Sequence, residues 1–158
     1  MINKDFLNEY FEYSETLQGL YWIKPTSKYA HPKIGNQYKA GATDSIGYRI
    51  VSIFSKPYKE HRLVWIYHNG DIPEKMQIDH INRIRDDNRI SNLRLATPSI
   101  NGLNTDCKNI THRKSNPNRP YEANYMLNGK TYSKSFKNPE EAKKWIDMNK
   151  QKIIEEYK

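Results

Sequence analysis

Residues 78–104 read IDHINRIRDDNRISNLRLATPSINGLN, and this stretch decides the fold. The pattern of residues 76–81 predicts a strand, and residues 93–96 predict a second strand after a polar loop. Thr97 then supplies a helix N-cap and Pro98 a first helical residue. The order strand, long loop, strand and helix follows from these signals.

Four polar side chains lie on these predicted elements. Asp79 and Asn101 offer a carboxylate and an amide oxygen, which suit one Mg²⁺ or Mn²⁺ ion that takes few protein ligands. The neutral imidazole of His80 can remove a proton from water if another group, here Asn92, fixes its orientation. A metal that stabilises phosphate charge beside a base that activates water describes phosphodiester hydrolysis.

Each of these residues also has a purely structural interpretation. The chain contains 16 asparagines, and Asn is a common turn residue, so Asn92 alone indicates little. His61 and His68 bracket a helical pattern and are expected to be packed or at the surface, while His31 and His112 have less context. The joint spacing on a strand, strand and helix favours the nuclease interpretation.

Residues 78–104 resemble the HNH nucleases with the ββα-metal fold, in particular the phage and intron-encoded homing branch. The resemblance implies that Asp79 and Asn101 are metal ligands and that His80 is the general base. It also implies that Asn92 orients His80.

The resemblance continues upstream and has one departure. Residues 47–54 (GYRIVSIF) and 61–74 (HRLVWIYHNGDIPE) look like the hairpin and helix that precede the nuclease finger in small phage proteins. Arg83 stands where a small Gly is usual. Residues 86–88 resemble the polar loop of the family and are not assigned to the metal.

Residues 107–158 predict a separate sheet with one helix laid across it. Strands are expected within residues 110–136, with a strong hairpin signal at Asn128-Gly129. Asn138 caps the final helix, and Pro139 is its first residue.

This segment resembles the apetala-type DNA-binding domain, which implies a three-stranded antiparallel sheet backed by a helix, with a sheet face in the major groove. The NGK hairpin, the SF-x-N-P-E-E-A passage at residues 135–142 and Trp145 carry the resemblance. Tyr121 stands where a Trp is common, and an Asn-Pro-Asn insertion lengthens the first turn.

Basic residues are concentrated in the second half of the chain. The 158 residues carry a formal net charge of +8. Residues 105–158 hold 12 basic and 7 acidic side chains, against 14 and 11 in residues 1–104, which favours a nucleic acid partner. The side chains predicted to contact DNA are Arg85, Arg89, Arg94, Arg113, Lys114, Arg119, Tyr121, Lys130, Tyr132 and Lys134.

Several other classes are excluded or disfavoured. No stretch approaches the roughly 18 to 20 apolar residues of a membrane helix, and the N-terminus lacks a signal-peptide core, so a cytoplasmic protein of a bacterium or phage-infected cell is expected. The lone Cys107 cannot form an internal disulfide or supply the Cys pairs of a structural zinc site.

The sequence therefore predicts an α+β DNA endonuclease with three segments: an N-terminal extension with β structure (1–45), an HNH ββα-metal domain (46–106) and an apetala-type domain (107–158). Its resemblance implies double-stranded DNA as partner and products with 5′-phosphate and 3′-hydroxyl ends. One site per chain predicts nicking by a monomer, or double-strand cleavage by a dimer assembled on DNA. The alternatives are a catalytically inactive DNA-binding regulator and an RNA-directed or restriction-type nuclease.

Overall fold

A computed structural model describes residues 2–24, 33–34, 37–105 and 109–157. His31 and Cys107 lie outside the described residues, and so does the predicted boundary at residues 106 and 107. The chain divides into two compact units, Met1–Leu95 and Ala96–Lys158. Helices and small antiparallel sheets are both present, which confirms the α+β class. None of the helices in the described ranges is long and apolar enough to cross a membrane.

The first unit contains three small sheets and two helices among its described residues. Strands β1, β2, β4 and β3 form one antiparallel sheet in that order, β5, β6 and β7 form a second, and β8 pairs with β9. The elements are α1 (Lys4–Tyr10), β1 (Phe11–Ser14), β2 (Gly19–Trp22), β3 (Lys33–Ile34), β4 (Gln37–Lys39), β5 (Ala42–Thr43), β6 (Arg49–Ile53), β7 (Lys56–Lys59), α2 (Glu60–Asn69), β8 (Gln77–His80), a 3-10 turn (Ile90–Asn92) and β9 (Leu93–Ala96).

One apolar core joins these elements. Leu63 and Val64 of α2, which the helical spacing places on one face, are buried with Ile78 of β8 and Leu93 of β9. Helix α2 therefore supports both strands of the site. The other buried members of this core are Leu7, Phe11, Leu20, Trp22, Ala40, Val51 and Ile53.

The predicted hairpin before α2 is present and consists of β6 and β7. Phe54 and Ser55 form the turn with φ of 48° and 63°, a left-handed pair that matches the twist of two paired strands. Pro57 lies in β7, opposite Ser52. A proline is tolerated there because β7 is the edge strand of its sheet.

The second unit contains one antiparallel sheet, in the order β10, β11, β12, and two helices among its described residues. Thr97 caps α3 by accepting from the Ile100 amide, and Asn138 caps α4 by accepting from the Glu141 amide. The elements are α3 (Pro98–Leu103), β10 (Ile110–His112), β11 (Tyr121–Leu127), β12 (Lys130–Phe136) and α4 (Pro139–Glu156).

The strand register decides which side chains face α4. Ala123 on β11 is buried with Ala142 and Ile146 of α4, so alternate residues from Tyr121 to Leu127 share this face, which we call the α4 face. Directly paired residues share a face as well. On β12 the α4 face therefore carries Lys130, Tyr132, Lys134 and Phe136, and the opposite face of the two strands carries Glu122, Asn124, Met126, Thr131, Ser133 and Ser135.

Candidate active site

Strand β8 places two ionisable side chains next to each other inside the first unit. Asp79 is 4% exposed and His80 is 5% exposed. Both side chains lie at the C-terminal end of β8 and are almost completely shielded from solvent. Burial of this acid and this imidazole requires specific polar partners for each of them.

Asp79 has a described partner in Arg94 on β9. Arg94 donates from Nε and Nη2 to Oδ2 of Asp79, at 2.9 and 2.6 Å. Its side chain is 12% exposed, and its Nη1 is buried with no hydrogen-bond partner among the described residues. Arg94, which the sequence predicted to contact DNA, is thus held inside the protein by Asp79.

His80 has a described partner in Asn88, in the loop between β8 and β9. The Nε2 of His80 lies 3.1 Å from the Oδ1 of Asn88, which is completely buried. Burial lowers the pKa of His80 below its ordinary value, although the contact with Asn88 and the charge of Asp79 oppose this shift. The imidazole is therefore neutral near pH 7, as a general base must be.

Glu60, the first residue of α2, lies behind Asn88. It is fully buried and accepts hydrogen bonds from the Leu20 amide (2.8 Å), the Nε of Arg49 (2.5 Å) and the Nδ2 of Asn88 (2.9 Å). Burial raises the pKa of Glu60, while these donors favour its charged form. Because all three described partners donate, both carboxyl oxygens of Glu60 act as acceptors.

Asn92 holds the loop that carries Asn88. Its Oδ1 accepts from the Asn82 amide, and its Nδ2 donates to the Oδ1 of Asn82 and to the backbone oxygen of Asp87. The backbone oxygen of Asn92 accepts from the Ile81 amide at 2.9 Å. The side chain of Asn92 thus bonds to the loop. The side chain of Asn88, rather than that of Asn92, lies within hydrogen-bond distance of His80.

The conformation of the turn after β8 explains why glycine is usual at the position of Arg83. The Arg83 amide donates to the backbone oxygen of His80 at 2.9 Å, and Arg83 has a φ of 67°. Glycine adopts this left-handed conformation without a steric cost, which accounts for the Gly usual at this position of the resembled pattern.

Two of the predicted phosphate contacts lie at the surface of the same loop. Arg89 pairs with Asp87 through two bonds of 2.7 and 2.5 Å and lowers the pKa of that carboxyl. Arg85 donates to the backbone oxygen of Ile46 and lies 5.1 Å from the ring centroid of Tyr48. Both guanidinium groups remain partly or fully exposed.

His61 packs directly against the candidate base. It is 5% exposed, and its ring lies 4.9 Å from that of His80 in an edge-to-face arrangement. Burial, followed by the charges of His80 and Lys59, lowers the pKa of His61 to about 3. His61 is packed, as predicted, but its neighbour is the candidate catalytic histidine.

Asn101, the second predicted metal ligand, lies on α3 in the second unit and is half-buried. No group of three or more His, Cys, Asp or Glu residues able to hold a metal ion occurs in the described part of the chain. Asp79 and Asn101 provide only oxygen donors, one of them charged. Each of these donors is of the type that Mg²⁺ takes, since this ion commonly binds one or two protein groups and keeps its waters.

The residues of the second unit that the sequence predicted to contact DNA occupy two places. Arg113, Lys114 and Arg119 are exposed in the connection between β10 and β11, where Arg113 pairs with Glu122. Tyr121, Lys130, Tyr132 and Lys134 belong to the α4 face by register. The ring of Tyr132 stacks on Tyr125 at 5.1 Å and an interplanar angle of 10°.

Sequence reasoning missed Glu60 and Asn88 as parts of the site, and also Tyr48, whose ring lies 6.0 Å from that of His80. Asn88 belongs to the polar loop, and Glu60 precedes the predicted helix, so both had the ordinary signature of exposed residues. Only their burial in the folded chain, 0% exposed in each case, sets them apart.

Comparison with known proteins gives one match. Residues 58–103 match the model of a family described as HNH endonuclease. The matched segment runs from β7 to the end of α3, and it contains Asp79, His80, Asn92 and Asn101. No curated protein and no solved structure matches the chain significantly. The match supports nuclease activity and DNA as the substrate class.

Proposed function

We propose that the chain is a metal-dependent HNH endonuclease that hydrolyses phosphodiester bonds in double-stranded DNA. One observation carries the proposal: within the segment that matches the HNH model, β8 presents a buried Asp79 beside a buried, hydrogen-bonded His80. A carboxylate next to a neutral imidazole is the pair that this hydrolysis requires.

His80 accepts the proton of the attacking water, since its lowered pKa keeps the ring neutral near pH 7. Asp79 and Asn101 would hold Mg²⁺ or Mn²⁺, which when bound stabilises negative charge on the scissile phosphate. Asn92 fixes the loop between β8 and β9, and its backbone oxygen holds the residue that follows His80. Attack on phosphorus with loss of the 3′ oxygen leaves 5′-phosphate and 3′-hydroxyl ends.

The exposed arginines supply contacts to the DNA backbone near the site. Arg85 and Arg89 lie on the loop that follows His80, and a guanidinium is a strong donor to phosphate. Arg94 acts differently, because its side chain is held by Asp79. Its Nη1 is buried and has no hydrogen-bond partner in the described ranges, and a phosphate reaches this donor only where the pair with Asp79 opens.

The second unit binds duplex DNA as an apetala-type module. Its three-stranded sheet and helix fit the resemblance, and the basic residues predicted to contact DNA lie in an exposed connection and on the edge strand β12. Lysines on phosphates give affinity without sequence information, whereas base edges are read by groups such as amides and hydroxyls. The lysines of this unit therefore position the enzyme on DNA.

Two further features rest on the resemblance to phage and intron-encoded enzymes. The natural setting is a homing or nicking endonuclease in the cytoplasm of a bacterium or an infected cell. A monomer with one site nicks one strand, and two chains that meet on DNA cut both strands.

One observation favours a second candidate, a DNA-binding regulator without catalysis. The Oδ2 of Asp79 is already engaged by a guanidinium, and a positive charge at this distance opposes the binding of a metal cation. The two candidates share the DNA partner and differ only in whether a metal ion reaches Asp79.

The test is cleavage of supercoiled plasmid in Mg²⁺ or in EDTA by the protein and by His80→Ala. We expect relaxed or linear DNA in Mg²⁺ only, with the rate reduced about 10²- to 10⁴-fold in the variant. His68→Gln, at the other end of α2, is the matched control and should cut normally. Tight plasmid binding without cutting in Mg²⁺ would favour the regulator, and full activity of His80→Ala would overturn the role of His80.

A further inference from the structure

We propose that Glu60 and Asn88 form a relay that decides which ring nitrogen of His80 carries the proton, so that Asn88 is a positioning residue for the base. The inference rests on the proposed function, since it refines the role of His80. It depends on two hydrogen bonds in series, Asn88 to Glu60 at 2.9 Å and His80 to Asn88 at 3.1 Å.

The first step fixes the orientation of the Asn88 amide. Glu60 accepts from the Leu20 amide and from Arg49, so its carboxylate oxygens are acceptors in this environment. The side of Asn88 that meets this carboxylate must therefore be its NH₂ group, because an amide oxygen there would face a second acceptor. The chemistry of the carboxylate removes the usual ambiguity between the two ends of the amide.

The second step fixes the tautomer of His80. With its NH₂ group on Glu60, Asn88 turns its Oδ1 toward the Nε2 of His80. An amide oxygen only accepts, so Nε2 must carry the hydrogen. A neutral imidazole has one N–H, and Nδ1 is then the nitrogen with a lone pair that can take a proton from water.

The relay works only if its members are held in one orientation. Asn88 and Glu60 are both 0% exposed. Arg49 donates to Glu60 and also to the backbone oxygens of Ala40 and Gly41, while Leu20 holds the other carboxylate oxygen. Residues from the N-terminal segment thus anchor the carboxylate, which gives that segment a part in the chemistry of the site.

The experiment measures the tautomer directly and without DNA. The protein is labelled with ¹⁵N-histidine, and the signals of His80 are identified by their loss in His80→Ala. At about pH 8, above the ordinary histidine pKa of about 6.5, ¹⁵N shifts and couplings to ring protons distinguish the N–H nitrogen from the unprotonated one. We expect His80 to be protonated on Nε2.

Two variants of the same loop provide the comparison. Asn88→Ala removes the acceptor and should give a mixture of the two tautomers, with kcat lowered about 10- to 100-fold and DNA affinity in EDTA unchanged. Asn82→Ala is the matched control, because Asn82 bonds to Asp87 and Asn92 in the same loop. It should keep the Nε2–H tautomer of His80.

The outcomes separate this inference from the proposed function. A His80 protonated on Nδ1 in the unaltered protein would overturn the relay, and so would an unchanged tautomer in Asn88→Ala. An equal change in both loop variants would also overturn it, since loop order in general would then set the tautomer. Absence of cleavage by the unaltered protein would refute the nuclease while the NMR result still decides the relay.

Discussion

Arg94 binds one oxygen of Asp79 with two of its nitrogens, at 2.9 and 2.6 Å, in the interior of the first unit. The side chains are 12% and 5% exposed, so the pair is largely removed from water. Coulomb attraction is stronger and screening by salt is weaker there than at the surface. The same carboxylate is the proposed metal ligand. The guanidinium of Arg94 and the metal ion therefore compete for the single negative charge of Asp79.

Arg94→Leu should destabilise the protein in a way that Mg²⁺ corrects. Removing one partner leaves a buried carboxylate without its counter-charge, which costs about 3 to 5 kcal/mol of unfolding free energy. Millimolar Mg²⁺ should restore part of this loss by binding only the folded state. Urea unfolding in EDTA and in Mg²⁺ measures both effects.

The double variant Arg94→Leu/Asp79→Leu is the control for that experiment. It removes the carboxylate, so its unfolding free energy should be the same in Mg²⁺ and EDTA. An equal Mg²⁺ response in the single and double variants would show that the ion binds elsewhere and would remove Asp79 as a ligand.

Gly19→Ala should destabilise the first unit because a methyl group has no room at this position. Gly19 has a φ of +151°, and an added Cβ would lie 2.3 Å from the Oε1 of Glu60. The backbone strain and the displaced buried carboxylate together should cost about 2 kcal/mol or more of unfolding free energy. Chemical denaturation measures this loss.

Gly102→Ala is the matched control. Gly102 lies within α3, and nothing lies within 4 Å of an added Cβ there. Alanine in a helix is favoured over glycine by about 0.5 to 1 kcal/mol, so this variant should gain stability. If Gly19→Ala were as stable as the unaltered protein, the close approach of β2 to Glu60 would be wrong.

The local pattern of the sequence predicted many of the elements that carry the site. Alternation, caps and turn residues act over a few positions, so the helix from residue 61, the strands around Asp79 and Leu93 and the caps Thr97 and Asn138 could be derived directly. The family match from residue 58 to 103 agrees with the nuclease interpretation of this stretch.

Long-range contacts were beyond the reach of that pattern. Glu60 meets Leu20 across 40 positions and Asn88 across 28. Nothing in the local sequence distinguishes such a buried acid from an exposed one, because its burial is set by which elements pack together. The sequence also could not predict on which face of the sheet the aromatic and basic side chains of β12 lie, because the strand register decides which alternate set faces α4.

His61 should make folding stability depend on pH. Its pKa is about 3 in the folded protein and about 6.5 when unfolded, so the folded state resists protonation. The contribution of His61 to the unfolding free energy is therefore complete above pH 6.5 and is lost as the pH falls toward 3. The loss is about 1.4 kcal/mol per pH unit once His61 of the unfolded chain is protonated. His61→Leu lacks the group and should lose less stability between about pH 7.5 and 5.

Urea unfolding of both proteins over this pH range measures the difference. Any other group that titrates contributes to both curves and cancels in the comparison. Curves that stay parallel from about pH 7.5 to 5 would show that His61 is hydrated rather than buried against His80.

The lysines of β12 should account for part of the salt dependence of DNA binding. Lys130 and Lys134 are exposed on the outer strand of the second unit, and each lysine that meets a phosphate releases about one counterion. The double variant Lys130→Ala/Lys134→Ala should therefore lower the slope of log K against log salt by about 2, with similar losses on unrelated duplexes.

Lys152→Ala, which removes one exposed lysine of α4, is the control for these lysines. Lys152 is 76% exposed on α4 and lies 3.9 Å from Glu156, so its charge is already partly balanced. It should change the slope by much less than one unit. Fluorescence anisotropy with a labelled duplex in EDTA, at four or more salt concentrations, measures all three slopes. Equal slopes for the double variant and the unaltered protein would show that β12 does not lie against the phosphate backbone.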